Sequence, residues 1–178
     1  MMGTLQTEPA VSRPDLLAPP VLAALQTWDR AGEVQVAPID PELADTAAFC
    51  EAYQVGLDVS ANCVVVAGKR EGLVRYAACL VLATTRADVN GVVRRRLDVR
   101  KASFAPMDSA VSETGMQYGG ITPIGLPAAW PILVDAAVAA TPQVIIGSGI
   151  RGSKIMLPGK ALADLPGAVV IDDLGISS

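Results

Sequence analysis

The residues best placed to do chemistry lie in a run at 113–125, where four glycines, one proline and three hydroxyl side chains fall within thirteen positions. The pair Gly119-Gly120 permits positive φ and lets a ligand approach the main chain closely. Pro123 fixes φ just beyond it. A stiff loop of this kind offers bare backbone N–H groups, which suit a carbonyl or phosphate oxygen. One fixed main-chain donor is typically worth about 3 kcal/mol to negative charge developing on such an oxygen. The competing use of a Gly-Gly pair is a tight structural turn.

The rest of the chain narrows the chemistry. It contains no histidine, which removes Ser-His, Cys-His and His-metal arrangements together. Cys50, Cys63 and Cys79 are odd in number and form no C-x-x-C, so reduced thiols are expected and neither a disulfide framework nor a zinc site. Cys63 alone reads as a small buried hydrophobe. The segment 147–152 matches G-x-G-x-x-G after a strand, with Asp172 about twenty residues on. The alternating Ser153 to Leu157 that follows is no helix, so a second glycine-lined turn is expected there and not a dinucleotide site. Lys154, in that segment, reads as an exposed strand lysine.

Charge and composition set further bounds. Net charge is −4, with 51% apolar and 4% aromatic residues. The core must be built from Val, Leu, Ile and Ala, and one domain is the default at 178 residues. A phosphate-binding chain is usually basic, so RNA contact would need a local patch. Arg94, Arg95 and Arg96 with Arg100 and Lys101 form the one basic cluster. It reads either as a solvated helix face or as a patch for RNA phosphates. No signal peptide is evident at the N-terminus, and the apolar run at 76–83 is too short to span a bilayer. The expected setting is cytoplasmic, without a membrane.

These residues need positioning elements. Residues 1–18 lack periodicity and are expected to form a flexible arm, with a single domain over 19–178. Helices are expected at 21–28, at 47–53 behind a cap at Asp45, at 89–97 behind a cap at Asp88, and from 106 to about 113. Strands are expected at 34–38, 61–67, 74–83, 101–105, 130–134, 143–146, 153–157 and 169–171, with a hairpin across 68–72. A helix-like turn is expected at 158–165. This interleaving, with hairpins and no strict βαβ alternation, predicts an α+β fold around a mixed, barrel-like β-sheet with flanking helices.

Three stretches together carry a resemblance. They are Thr114-Gly-x-x-x-Gly119-Gly120-Ile-Thr-Pro-Ile-Gly125, the later Gly147-Ser-Gly-x-Arg-Gly152, and the strand start Asn62-Cys63-Val-Val-Val. Over about residues 20–175 the chain resembles the YbaK/EbsC family of aminoacyl-tRNA deacylases, related to the editing domain inserted in bacterial prolyl-tRNA synthetases. The resemblance implies hydrolysis of the ester between a wrongly attached amino acid and its tRNA, with no metal or organic cofactor. It implies that Gly119 and Gly120 face the acyl or terminal-ribose end and that Gly147 and Ser148 form another wall. Cys63, Met116, Ile121 and Thr122 are then candidate pocket residues, and Arg94, Arg95 and Lys101 candidate tRNA contacts. The implied partners are the acceptor 3′ end of an aminoacyl-tRNA and, as a further candidate, an aminoacyl-tRNA synthetase. Two departures stand out. Family deacylases usually carry a lysine where this chain has Asn62, followed by Thr or Ser where it has Cys63. Many also carry an acidic residue where it has Lys154. Either Lys154 replaces the missing charge from across the pocket, or this branch takes a different acyl group or has lost catalysis. The competing reading is a non-catalytic module that binds a tRNA 3′ end, a synthetase or a small acyl ligand.

Overall fold

The computed structural model describes residues 2–177. Among these described residues eleven strands form in chain order: β1 (Glu8–Pro9), β2 (Gln35–Pro38), β3 (Ala61–Arg70), β4 (Leu73–Leu82), β5 (Thr85–Ala87), β6 (Ala102–Phe104), β7 (Ile132–Asp135), β8 (Val144–Gly147), β9 (Ser153–Leu157), β10 (Ala168–Ile171) and β11 (Gly175–Ser177). The α-helices are α1 (Pro19–Leu25), α2 (Thr46–Tyr53), α3 (Arg94–Leu97), α4 (Met107–Thr114), α5 (Ala136–Ala139) and α6 (Gly159–Ala163). The fold is α+β, as its sequence pattern predicts.

A five-stranded sheet runs β10-β7-β4-β3-β6, parallel at β10–β7–β4 and antiparallel at β4–β3–β6. A four-stranded antiparallel sheet runs β1-β2-β9-β8. The two meet where a parallel bridge joins Ser60 to Ile145. A further antiparallel pair joins β5 to β11, and among the described residues the sheets do not close into a barrel, so the barrel-like expectation reduces to two main sheets joined at one corner.

The second half of β4, from Ala77 to Val81, is apolar and buried on both faces. Leu80 packs into the main core with Val36, Ile146, Ile155, Val21 and Leu25. Its neighbours Cys79 and Val81 pack the opposite way, against Val93, Leu97 and Leu174. β8 splits similarly, with Ile146 in the main core and Ile145 against Phe49 of α2. α2 is thereby fixed to the outer face of the smaller sheet, and this matters for the site.

Several local expectations hold. Asp88 caps the helical segment before Leu97, accepting from the N–H groups of Gly91 and Val92 at 3.1 and 3.2 Å. Its first turn is a π-helix over Val89–Val93. Gly115 ends α4 at φ +69, where its N–H bonds the Val111 carbonyl, and so launches the glycine-rich loop. The N-terminal segment differs from expectation. β1 pairs with β2, and Leu5, Ala10, Leu17 and Ala18 are buried. Residues 5–18 are therefore packed chain and not a loose arm, because four apolar side chains are enough to anchor an aperiodic segment. α5 forms between the strands expected at 130–134 and 143–146, where the sequence predicts no helix.

Candidate active site

The glycine-rich loop and the β8–β9 turn are stitched into one unit. The Gln117 N–H donates to the Gly149 carbonyl at 2.9 Å, and the Gly149 N–H to the Gly120 carbonyl at 2.7 Å. Arg151 clips the assembly, donating through its main chain to Gln117 Oε1 at 2.8 Å and through its guanidinium to the Tyr118 and Pro41 carbonyls, each at 3.1 Å. Glycine is required where the backbones touch. A Cβ on Gly120 would sit 2.6 Å from the Ile150 carbonyl oxygen, and one on Gly147 would sit 2.6 Å from that of Gly120.

This unit forms one wall of a cavity of about 280 Å³. Tyr118, Gly119, Ile121 and Gly147 line that wall. Asn62 and Cys63 of β3 line another, Ala44, Asp45 and Thr46 at the start of α2 a third, and Lys154 of β9 reaches in from the smaller sheet. Phe104, 61% exposed, and Tyr118, 51% exposed, stand at the mouth.

Gly119 and Gly120 do different jobs. Gly119 is exposed at φ +89, and among the described residues its N–H meets no protein acceptor. The Gly120 N–H donates to the Gln117 carbonyl at 2.9 Å, and the residue is buried. The expected pair of free amides is therefore one amide, because the tight turn consumes the other.

Lys154 is not an exposed strand lysine. It is 8% exposed, on a strand flanked by β2 and β8, and its side chain runs under α2. Nζ donates to the Ala44 carbonyl at 3.1 Å and lies 5.1 Å from the centre of the Phe49 ring. Burial lowers its pKa; Cys50 and Asp45 act against that and Arg151 with it. Asn62 Oδ1 accepts from the Thr46 hydroxyl at 2.5 Å, which ties β3 to α2. Asp45 occupies the expected cap position, but its carboxylate makes no capping bond, and the residue lines the cavity. Burial, with Cys79 behind it, pushes the Cys63 thiol up, so Cys63 is a lining group and no thiolate. Cys79 is pushed up to about 12.

Three of the expected pocket residues lie outside the cavity lining. Met116 is buried in the main core, where its sulfur accepts from the Thr122 N–H at 3.5 Å. Thr122 is fully buried with its hydroxyl unpartnered. Ser148 is a buried turn hub, accepting from the Ser153 hydroxyl at 2.6 Å and contacting the Ile150 and Ser153 carbonyls, each at 3.2 Å. All three are buried and support the wall from behind. Thr46, Phe49 and Arg151 were missed by sequence reasoning. The only signal for Thr46 was its place after the expected Asp45 cap.

Arg94, Arg95 and Lys101 are not at the cavity. Arg95 and Lys101 are exposed, and Arg94 Nε is engaged by the Asn90 carbonyl at 2.8 Å. They belong to a wider basic face. Residues 69–101 hold nine of the fourteen Lys and Arg and three of the eighteen acids, so that segment is +6 and the remainder −10. Arg75 and Arg70 donate to the Leu97 and Asp98 carbonyls at 2.8 and 3.2 Å, which gathers the end of the β3–β4 hairpin against α3. Along β3 this face lies about 13 Å from the cavity, four residues at 3.3 Å each.

Solved structures define the class first. The chain superimposes at TM-score 0.73 and 22% identity on a crystal structure described as a candidate trans-editing enzyme for prolyl-tRNA synthetase, covering 87% of this chain and 94% of that one. A hypothetical protein of known structure matches at TM-score 0.74 and 18% identity, over 86% and 99% of the two chains. A scaffold used for computational grafting of linear epitopes matches at 0.73 and 22%, over 87% and 95%. The fold is thus the one these three structures share. The family follows from sequence: the aminoacyl-tRNA editing domain matches residues 40–165, and the chain belongs to that family. No helix among the described residues is long and apolar enough to cross a membrane.

Proposed function

We propose that this chain is a trans-acting aminoacyl-tRNA deacylase, which removes a wrongly attached amino acid from tRNA in the cytoplasm. The observation that carries the reading is one cavity lined by both an uncommitted main-chain N–H, at Gly119, and a buried ammonium, at Lys154. Water adds to the ester carbonyl carbon, and the Gly119 N–H holds the oxygen as its charge grows. The carbon–oxygen bond to the ribose then breaks. The ribose oxygen leaves with a proton, giving free amino acid and tRNA. With no histidine base, the attacking water passes its proton to the substrate's own neighbouring ribose hydroxyl or amino group, while Lys154 supplies positive potential. An aminoacyl ester is already labile, so modest acceleration suffices.

Asn62 in this reading orients and does not carry charge, being held by Thr46. Cys63, Ile121 and Gly147 bound the acyl group, and pocket size sets the first level of selection. A methylene discriminates by only about 1–3 kcal/mol, which is why a second sieve has a use. The basic face around Arg95 and Lys101 would take backbone phosphates near the acceptor end, and a synthetase is a candidate partner for the remaining affinity.

One observation favours the non-catalytic alternative: the Asn62 carboxamide is neutral and already engaged. A panel of mischarged tRNAs treated with wild type, Gly119→Ala, Asn62→Lys and Lys154→Ala separates the two. Wild-type clearance of at least one species, lost in Gly119→Ala, supports deacylation. Retardation of tRNA on a gel with no clearance of any species supports the binding module.

A further inference from the structure

Lys154 is a cation without a counter-ion. It is 8% exposed, and among the described residues no carboxylate lies within 4.0 Å of Nζ. The Ala44 carbonyl takes one of its three donors and the Phe49 ring lies near the charge. Asp45, the acidic group of the cavity lining, stays solvated at the rim. Burying a charge is unfavourable unless it is paired. Lys154 nevertheless lines an open cavity of about 280 Å³ and is not sealed in the core. The arrangement is half of an ion pair whose other half is free to enter and leave.

We propose that Lys154 recognises an anionic oxygen carried by the ligand, and that the acyl group this site accepts ends in a carboxylate. The identity of that ligand rests on the aminoacyl-ester reading; the anion site itself does not. Depth favours the acyl side chain over a ribose phosphate as the source. A slender side chain can reach an ammonium this deep between α2 and β9, whereas a phosphate is tethered to the bulky nucleoside. An amide isostere keeps an acceptor oxygen for the ammonium but loses the opposite charge, leaving an ion–dipole bond in place of an ion pair. That difference corresponds to about tenfold or more in affinity.

The test uses calorimetry with non-hydrolysable 3′-aminoacylamino-3′-deoxyadenosines carrying aspartyl, glutamyl, asparaginyl or glutaminyl groups, each with and without a 5′-phosphate. Wild type should bind at least one acidic analogue about tenfold or more tighter than its amide, and Lys154→Met should erase the gap. A Lys154-dependent gain that follows the 5′-phosphate instead supports the oxyanion site and names phosphate as the source. Equal binding of all the analogues by wild type and variant overturns the proposal. Should Lys154→Met fail to fold, the wild-type Lys154 side-chain NMR signals, titrated with acetate and with inorganic phosphate, decide the same question. A saturable shift supports the site and its absence overturns it. Anion dependence with no deacylation of any tRNA would retain this site and remove the ester-cleaving reading. Deacylation indifferent to acyl charge and to Lys154→Met would do the reverse.

Discussion

Replacing Lys154 by Met should make the protein more stable while removing a functional group. The ammonium gains a charged hydrogen bond to the Ala44 carbonyl, about 1.5–3 kcal/mol. A ring contact at Phe49 is worth up to about 2 kcal/mol when desolvated. Against these stands an effective burial penalty of several kcal/mol for the ion. The lowered pKa of Lys154 says that burial wins. Methionine keeps the unbranched stem and discards the charge, so a gain of about 1–2 kcal/mol at pH 7 is expected. For a chain of this size that is about 2–8 °C in Tm. The pH dependence has a definite sign. Between the lowered folded pKa and the free-lysine value of 10.5, the unfolded chain binds more protons than the folded one. Wild-type stability from this group therefore rises with pH across that window. The advantage of the variant is full below the folded pKa and shrinks on the way to 10.5. Urea denaturation of both proteins at pH 7 and pH 10 measures it, and the difference between them cancels other alkaline groups. A variant less stable than wild type by more than about 1 kcal/mol at pH 7, or a gap unchanged by pH, would refute the reasoning.

Other expectations follow from the same geometry. Gly147→Ala drives a methyl into the Gly120 and Ile121 carbonyls, so it should lower stability by about 1–3 kcal/mol in chemical denaturation and open the wall that carries Gly119. Arg95→Ala should weaken tRNA binding and reduce the slope of log K against log salt by about 0.7–0.9, the share of one phosphate contact, while leaving the deacylation rate at saturating tRNA unchanged. Cys63 should alkylate slowly with iodoacetamide at pH 8 in the folded protein and quickly in urea, since its thiol is held up by burial.

The sequence made the scaffold legible where periodicity and turn chemistry are local. The β3–β4 hairpin, the Asp88 cap and the strand β9 all rest on neighbouring residues. So does the rejection of a dinucleotide loop at 147–152, where an antiparallel strand follows the glycines. What escaped depends on contacts across the chain. Lys154 alternates like an exposed strand residue, and only the docking of α2 over β9 buries it. Gly119 and Gly120 look equivalent in sequence, yet one amide is spent on Gln117 and the other is free. Asp45 reads as a helix cap, but its carboxylate makes no capping bond and the residue lines the cavity. The packed segment at 5–18 carries no periodic signal, because its buried positions are set by the β2 edge and not by its own repeat.

The claim on which the rest depends is that the Gly119 N–H, and not that of Gly120, faces the scissile carbonyl. Its most direct measurement is the amide proton shift of both glycines as a 3′-aminoacylamino-3′-deoxyadenosine saturates 15N-labelled protein. A downfield move at Gly119 with Gly120 unchanged is the predicted result. A silent Gly119 in the saturated complex would contradict the account.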